Sequence, residues 1–365
     1  MIKPILFHKL PPRSLESVRE GLKNFRDSFN YIYMTMFRKL SEGEPLAHPQ
    51  FFEILKMIRK EYPDTLIDIK TNGFALTKDY IKKLSKFNPI GIEITYMSDD
   101  PKIFSKIIGV SPKYHATVRK ALPLLKEYGF TINPRITPVP KLGGWEDIEK
   151  AVKYLIPFSD SVEFNYMTYS RFTSQKMIDF LKIEYDDEYE RVMGFAKKYD
   201  FDIHLLPDLY EPLKFHPKLV MMGTALKKYK NVLWMFSTGA YDRGKKIVEQ
   251  VGAKFPNNHY AVHVKPNFIG GNIVSAGLTM VSDYIEALEK VDYPYDLILL
   301  PASTFDLNGQ DLMNKNVQKI KEKFGVDYWI ITDREDYIYP YEFMKKPENQ
   351  YRQSCKETLK DFKYE

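Results

Sequence analysis

Residues 42–45 read Glu-Gly-Glu-Pro, and Thr71-Asn72-Gly73 closes the next apolar run. A glycine between two carboxylates makes a loop whose backbone can approach a ligand closely, because no Cβ stands in the way. Its negative charge complements a cation. Arg135 lies at the end of a later β-rich run, where a planar guanidinium fork suits bidentate binding of a carboxylate. Glu93, Glu163 and Tyr166 are of the types that serve as general bases. Taken singly, each polar residue also has a purely structural reading. Arg135 reads as one half of an ion pair, Asn72 as a turn residue and Ser98 as a helix cap.

Sulfur sets a limit on the chemistry. The chain has one cysteine, Cys355. One thiol excludes an internal disulfide framework and a cysteine-only zinc site, and it cannot ligate an iron–sulfur cluster that needs several thiolates. Histidines 8, 48, 204, 216, 259 and 263 are available beside acids such as Glu44, Glu93, Glu163 and Asp208, a donor set that suits iron(II), manganese or zinc. No His-Glu-x-x-His pattern occurs, and His259 and His263 fall about 13 Å apart along an extended strand. No metal ligand is therefore assigned. Neither a Ser/His/Asp arrangement nor a Gly-rich Lys-Ser/Thr phosphate loop stands out.

The elements that must position these residues alternate. Strand-like runs at 3–7, 30–36, 65–70, 90–96, 130–137 and 161–167 are separated by helical patterns at about 14–28, 50–61, 77–86, 112–128, 145–155 and 184–198. Ser14 and Thr77 stand before two of the helices, and Gly129 follows a third, as start and stop signals do. Short-looped alternation implies parallel strands joined by right-handed crossovers. The expected fold class is α/β: a partial (βα)6 TIM-like barrel over residues 1–199, with functional residues at the C-terminal ends of its strands. Further strand-like runs at 202–206, 231–236, 260–265, 296–300 and 326–332 predict a smaller α/β domain over 200–338. Residues 339–365 read as a charged tail, either a surface helix or mobile.

The loop at 42–45, its continuation Leu46-Ala47-His48-Pro49 and the strand-terminal Thr71-Asn72-Gly73 resemble the S-adenosylmethionine (SAM) side of a radical-SAM enzyme. Glu42 stands where that superfamily most often has glycine. Ile92–Asp99, Pro101–Phe104 and Ile107-Ile108-Gly109 resemble its fourth strand and the segment after it. Ser237-Thr238-Gly239, Asn267–Gly271, Val274–Thr279 and Leu299-Leu300-Pro301 look like the uncharacterised C-terminal domain found in PDZ-containing radical-SAM proteins. The resemblance implies a SAM pocket formed by Gly43, Glu44, Pro45, Thr71, Asn72, Ser98 and Arg135, with Glu44, Ser98 and Arg135 at the methionyl end and Asn72 at the ribose. The superfamily's cysteine loop corresponds here to Phe7–Arg13, which has no thiol.

The leading expectation is thus a protein that binds SAM without its own iron–sulfur cluster. It would transfer a methyl or aminocarboxypropyl group by polar chemistry, with Glu93, Glu163 or Tyr166 as base. The alternative is a non-catalytic binding module or a partner subunit of a cluster-bearing enzyme. RNA binding is a minor alternative, because the acids of the tail cancel much of its basic field. The substrate, a small molecule or a protein, is not named by these residues. A net charge of +6 with 28% charged residues is ordinary for a well-cored α/β protein. The 26 tyrosines and the Lys/Glu-rich helices are compatible with a thermophilic source. No run reaches the roughly 18–20 apolar residues that span a bilayer, and the start lacks signal-peptide features, so the expected location is the cytoplasm.

Overall fold

The computed structural model describes residues 12, 14–23, 31–34, 44–206, 209, 226, 228–305, 309–331 and 338–340. Contacts divide the chain into two units, Met1–Asp208 and Leu209–Glu365.

The first unit is one parallel sheet of six described strands in chain order: β1 (Tyr31–Met34), β2 (Leu66–Thr71), β3 (Ile90–Thr95), β4 (Thr131–Ile136), β5 (Val162–Asn165) and β6 (Ile203–Leu206). Helices α1 (Leu15–Lys23), α2 (Phe51–Glu61), α3 (Lys78–Leu84), α4 (Pro101–Ile108), α5 (Lys113–Glu127), α6 (Pro140–Leu155), α7 (Gln175–Leu181) and α8 (Tyr185–Tyr199) fill the connections. Strands in sequential order with helical crossovers give the open, TIM-like α/β arrangement expected. The expected strand at 3–7 lies outside the described residues.

Alternation along the strands assigns the two faces of the sheet. In β2, Ile67, Ile69 and Thr71 are buried while Leu66, Asp68 and Lys70 are only half-buried. Ile92 and Ile94 of β3, Ile132 and Ile136 of β4, Val162 and Phe164 of β5, and Ile203 and Leu205 of β6 join the same apolar core. Side chains alternate faces along a strand, so Asp68, Lys70, Glu93, Arg135, Glu163 and His204 fall on the opposite face. Local signals close the helices. The Thr77 hydroxyl accepts from the Tyr80 amide at the start of α3. Gly129, at φ +76°, takes the left-handed turn after α5, which a Cβ would disfavour.

Three expectations change. Residues 202–206 were assigned to the second domain, yet β6 pairs in parallel with β5 along Val162↔Ile203 to Asn165↔Leu206. The strand continues the alternation after α8, so the first unit runs on to Asp208. Helices α4 and α7 were not anticipated. Each is a short segment that starts at a side-chain cap, Asp100 for α4 and Ser174 for α7. The tail was expected from residue 339, but Ile338–Pro340 forms a strand of the second unit; the rest of the tail lies outside the described residues.

That second unit has the order β11-β10-β9-β7-β8: β7 (Asn231–Ser237), β8 (Asn258–Val264), β9 (Leu297–Pro301), β10 (Asp327–Ile331) and β11 (Ile338–Pro340). All pairs are parallel except β11 on β10. Helix α9 (Tyr241–Gly252) follows β7, α10 (Val281–Leu288) follows β8, and α11 (Gln318–Phe324) follows β9. Apolar clusters line both faces of this sheet, as a parallel sheet covered by helices requires.

Candidate functional site

The loop before α2 and the end of β2 are held together by one carboxylate. Glu44 Oε2 accepts the Asn72 amide at 2.8 Å, and Oε1 accepts the Thr71 hydroxyl and, at 3.3 Å, the Leu46 amide. Leu46 lies in the short 3-10 turn Pro45–Ala47 that Glu44 caps. The Thr71 hydroxyl also accepts from the Gly73 amide at 3.0 Å, and the Asn72 side-chain oxygen accepts from Phe74 at 2.9 Å. Gly73, at φ +75°, has Ile94 Cδ1 at 2.7 Å from where a Cβ would stand, so only glycine closes this turn. Sequence reading aimed Glu44 at a ligand ammonium. Three protein donors already converge on its carboxylate, and its evident work is to fix the loop against the strand end. Gly43 lies outside the described residues.

The second feature is a row of charges across the sheet. Strand register places Lys70 opposite Glu93, Glu93 opposite Asn133, Arg135 opposite Glu163 and Glu163 opposite His204. Arg135 bridges its neighbours: Nε lies 2.8 Å from Glu93 Oε2 and a terminal nitrogen 2.8 Å from Glu163 Oε1. Glu93 and Glu163 are only 8% and 9% exposed. His204 Nε2 stands 3.8 Å from Glu163, and the adjacent carboxylate raises the imidazole pKa. Asp68 lies opposite Gly91, where a Cβ would come within 2.7 Å of Asp68 Oδ1. The missing side chain of Gly91 leaves room for the Asp68 carboxyl, and Oδ1 is buried there without a hydrogen-bond partner. Burial and then the Glu93 charge push Asp68 up to about 7. Burial and then Arg135 bring Lys70 down to about 8. Groups that change protonation near neutrality, brought together on one face, are typical of catalytic sites.

The expected site residues divide accordingly. Glu44, Pro45, Thr71 and Asn72 meet at one strand end. Glu93, Arg135 and Glu163 meet in the charge row, where Arg135 faces protein carboxylates instead of an open ligand position. Ser98 does not join either group: it is fully buried, and its hydroxyl accepts from the Asp100 amide at 3.0 Å in the turn before α4. Tyr166 also departs from its expected role as base, because its hydroxyl donates to the Ile183 carbonyl at 3.2 Å and its ring meets Tyr185 edge-on. Sequence reading missed Asp68 and Lys70, and named His204 only as an available metal donor. The signal was the period-two pattern Leu66-Ile67-Asp68-Ile69-Lys70, which puts two charges on the face opposite the core.

Among the described residues no group of three His, Cys, Asp or Glu side chains is placed to hold a metal ion. His259 Nδ1 accepts from the Trp234 indole at 3.1 Å, whereas His263 stacks on Tyr241 at 4.7 Å. No helix among the described residues is long and apolar enough to cross a membrane.

Comparison with known proteins defines the class of the first unit. Residues 6–155 match the Radical SAM superfamily model, so the first unit carries a Radical SAM superfamily domain. Over 66 residues the chain is 35% identical to the FeMo cofactor biosynthesis protein NifB of Methanocaldococcus jannaschii and 36% identical to that of Methanocaldococcus infernus. Those stretches cover 18% of this chain and 22% of each relative, so the chain matches about a fifth of the length of these curated relatives. Among solved structures, Streptococcus suis SuiB bound to S-adenosylmethionine aligns with a TM-score of 0.39 at 13% identity, over 64% of this chain and 46% of that one. Native anSMEcpe with bound AdoMet aligns with a TM-score of 0.38 at 16% identity, over 56% of each.

Proposed function

We propose that the first unit binds SAM, or a closely related sulfonium or thioether nucleoside, at the strand end held by Glu44, and transfers a group from it by polar chemistry. The observation that carries this reading is the Glu44 latch, which holds the residue 44–47 turn against Asn72 at the C-terminal end of β2. Asp68 and Lys70 precede that point on the same strand. A partly buried row containing carboxylates, a guanidinium and an amine suits a ligand that carries an ammonium, a carboxylate and a sulfonium. When bound, the sulfonium supplies carbon atoms activated toward nucleophiles.

The donor set does not fit a self-ligated iron–sulfur cluster. The chain's one cysteine, Cys355, falls short of the several thiolates such a centre takes, and no step is routed through one. In the polar reading the chain's own groups have defined tasks. Glu44 holds the 44–47 loop in place. Glu93 and Glu163 supply negative charge and Arg135 fixes both. Asp68, which titrates near neutrality, accepts the proton released by the attacking group. Positioning and water exclusion supply the rest.

Calorimetric titration of the purified chain with SAM and with S-adenosylhomocysteine tests the reading. Saturable heat is expected with both ligands, and Glu44→Ala should weaken binding at least about tenfold. Absence of heat with either ligand in the intact protein would overturn it. A second reading, a non-catalytic module, draws on Ser98, Tyr166 and Arg135, whose polar groups are engaged by the protein itself. Saturable binding with no transferred group on any acceptor would favour it, as would stable co-purification with a cluster-bearing enzyme.

A further inference from the structure

Strand β8 ends the described sheet of the second unit, and its described partner is β7 alone. Strand β7 is buried almost throughout, whereas in β8 only Val262 and Val264 are buried. Among the described residues, no backbone group of 259–264 bonds outside the β7 ladder. A strand paired on one side presents a row of N–H and C=O groups that another extended backbone can satisfy. A cleft of about 400 Å³ borders this edge. Ala261 packs with the apolar cluster on one face of the sheet and Val262 with the cluster on the other, and both line the cleft. Successive side chains point to opposite faces, so a cleft that both touch lies along the edge. Helix α10 supplies the facing wall through Asp283, Glu286 and Ala287, whose spacing puts them on one side of a helix.

The charges of that wall are already matched. Asp283 accepts the Phe268 and Met280 amides at 2.8 Å each. Glu286 accepts from the Asn267 side-chain nitrogen at 3.0 Å and pairs with Lys290 at 2.7 Å. Lys265 also lines the cleft, exposed just past the end of β8, and has no ion pair among the described residues. We propose that the second unit binds an extended acidic peptide, which adds to the free edge of β8 as a further strand and sets a carboxylate side chain on Lys265. The peptide main chain makes the ladder bonds, while Lys265 and the α10 wall choose among side chains. A second copy of this chain is a poorer occupant. None of the seven residues of β8, Asn-His-Tyr-Ala-Val-His-Val, is acidic, so a β8–β8 pair leaves Lys265 unmatched.

The probe is a fluorescein-labelled peptide of about eight residues, enough to span the edge, in which Thr and Val alternate around one central Glu. Fluorescence anisotropy with the intact chain should saturate below about 1 mM peptide. Replacing the peptide's Glu with Lys should weaken binding at least about tenfold, and Lys265→Glu in the protein should reverse that preference. Two further peptides carry N-methyl groups on alternate amides, in opposite registers, which removes one row of donors and leaves the protein untouched. One register should abolish binding and the other should keep it within about threefold. Hydrogen exchange of the intact chain should slow at residues 259–264 when the Glu peptide is bound. No saturation up to about 1 mM, equal losses from the two methylated registers, or protection away from β8 overturns the proposal. So does a dimer in sedimentation equilibrium that the peptide fails to dissociate, because a second copy then holds the edge. These measurements need no nucleoside, so failure of SAM binding and failure of peptide binding are separate outcomes.

Discussion

At the residue scale, Arg135 is the centre of the site's electrostatics. Removing one partner of a buried pair leaves the other charge uncompensated, at about 3–5 kcal/mol. Arg135→Met should therefore lower the unfolding free energy by about that amount in denaturant titration, because Glu93 and Glu163 lose their shared cation together. The loss should be smaller when Glu163→Gln is added, since one of the two orphaned charges is then gone. Asp68 gives a pH prediction. Its folded pKa of about 7 stands above the ordinary carboxylate range, so the native state binds the proton more tightly than the unfolded one. Stability from this group is present below about pH 4 and is lost as pH rises toward 7. Asp68→Asn should consequently melt at a higher temperature than wild type at pH 8, by roughly 2 °C or more, with the advantage gone near pH 4. Glu188, fully buried in α8 and pushed by burial up to about 8, has the same sign over a window reaching further into alkaline pH. Glu188→Gln should gain thermal stability above pH 8 and show little gain at pH 5.

At the element scale, close approaches set the packing. An alanine at Gly91 would drive its Cβ to 2.7 Å from Asp68 Oδ1. Overpacking of this kind costs about 1–3 kcal/mol, and combining Gly91→Ala with Asp68→Ser should recover most of it. A double-mutant cycle in urea measures the coupling. The approach of α9 to β7 is equally tight: a Cβ at Gly244 would meet the Phe236 ring at 2.6 Å, which explains a glycine inside a helix where alanine would otherwise be favoured. These elements show how much of the fold the chain announces by itself. The alternation of β2 through β6 and helices α2, α3, α5 and α8 follow from residue periodicity within two or three positions. Helices α4 and α7, of eight and seven residues, were not anticipated. Strand β6 was recognised as a strand but placed in the wrong sheet, because its partner is a matter of contacts and not of its own four residues.

At the scale of the whole molecule, sulfur content and site chemistry pull in different directions. The first unit carries a Radical SAM superfamily domain, while the chain's one cysteine stands at position 355. Anaerobic reconstitution of the purified chain with iron and sulfide, followed by desalting, should leave no stoichiometric iron or acid-labile sulfide. Brown protein holding both would return the homolytic route.

What the sequence by itself determined is what depends on residue type and spacing. These are the strand–helix alternation, the loop at 42–45, the strand-terminal Thr71-Asn72 and the shortage of thiols. Only the tertiary structure decided which polar groups meet. Glu44 and Asn72 are 28 residues apart in the chain yet joined by a hydrogen bond, and Arg135 gathers acids from two flanking strands. Asp68 and Lys70 became candidates for chemistry through cross-strand neighbours, because burial and the nearest charges shift a titrating group, and both are properties of the assembled sheet.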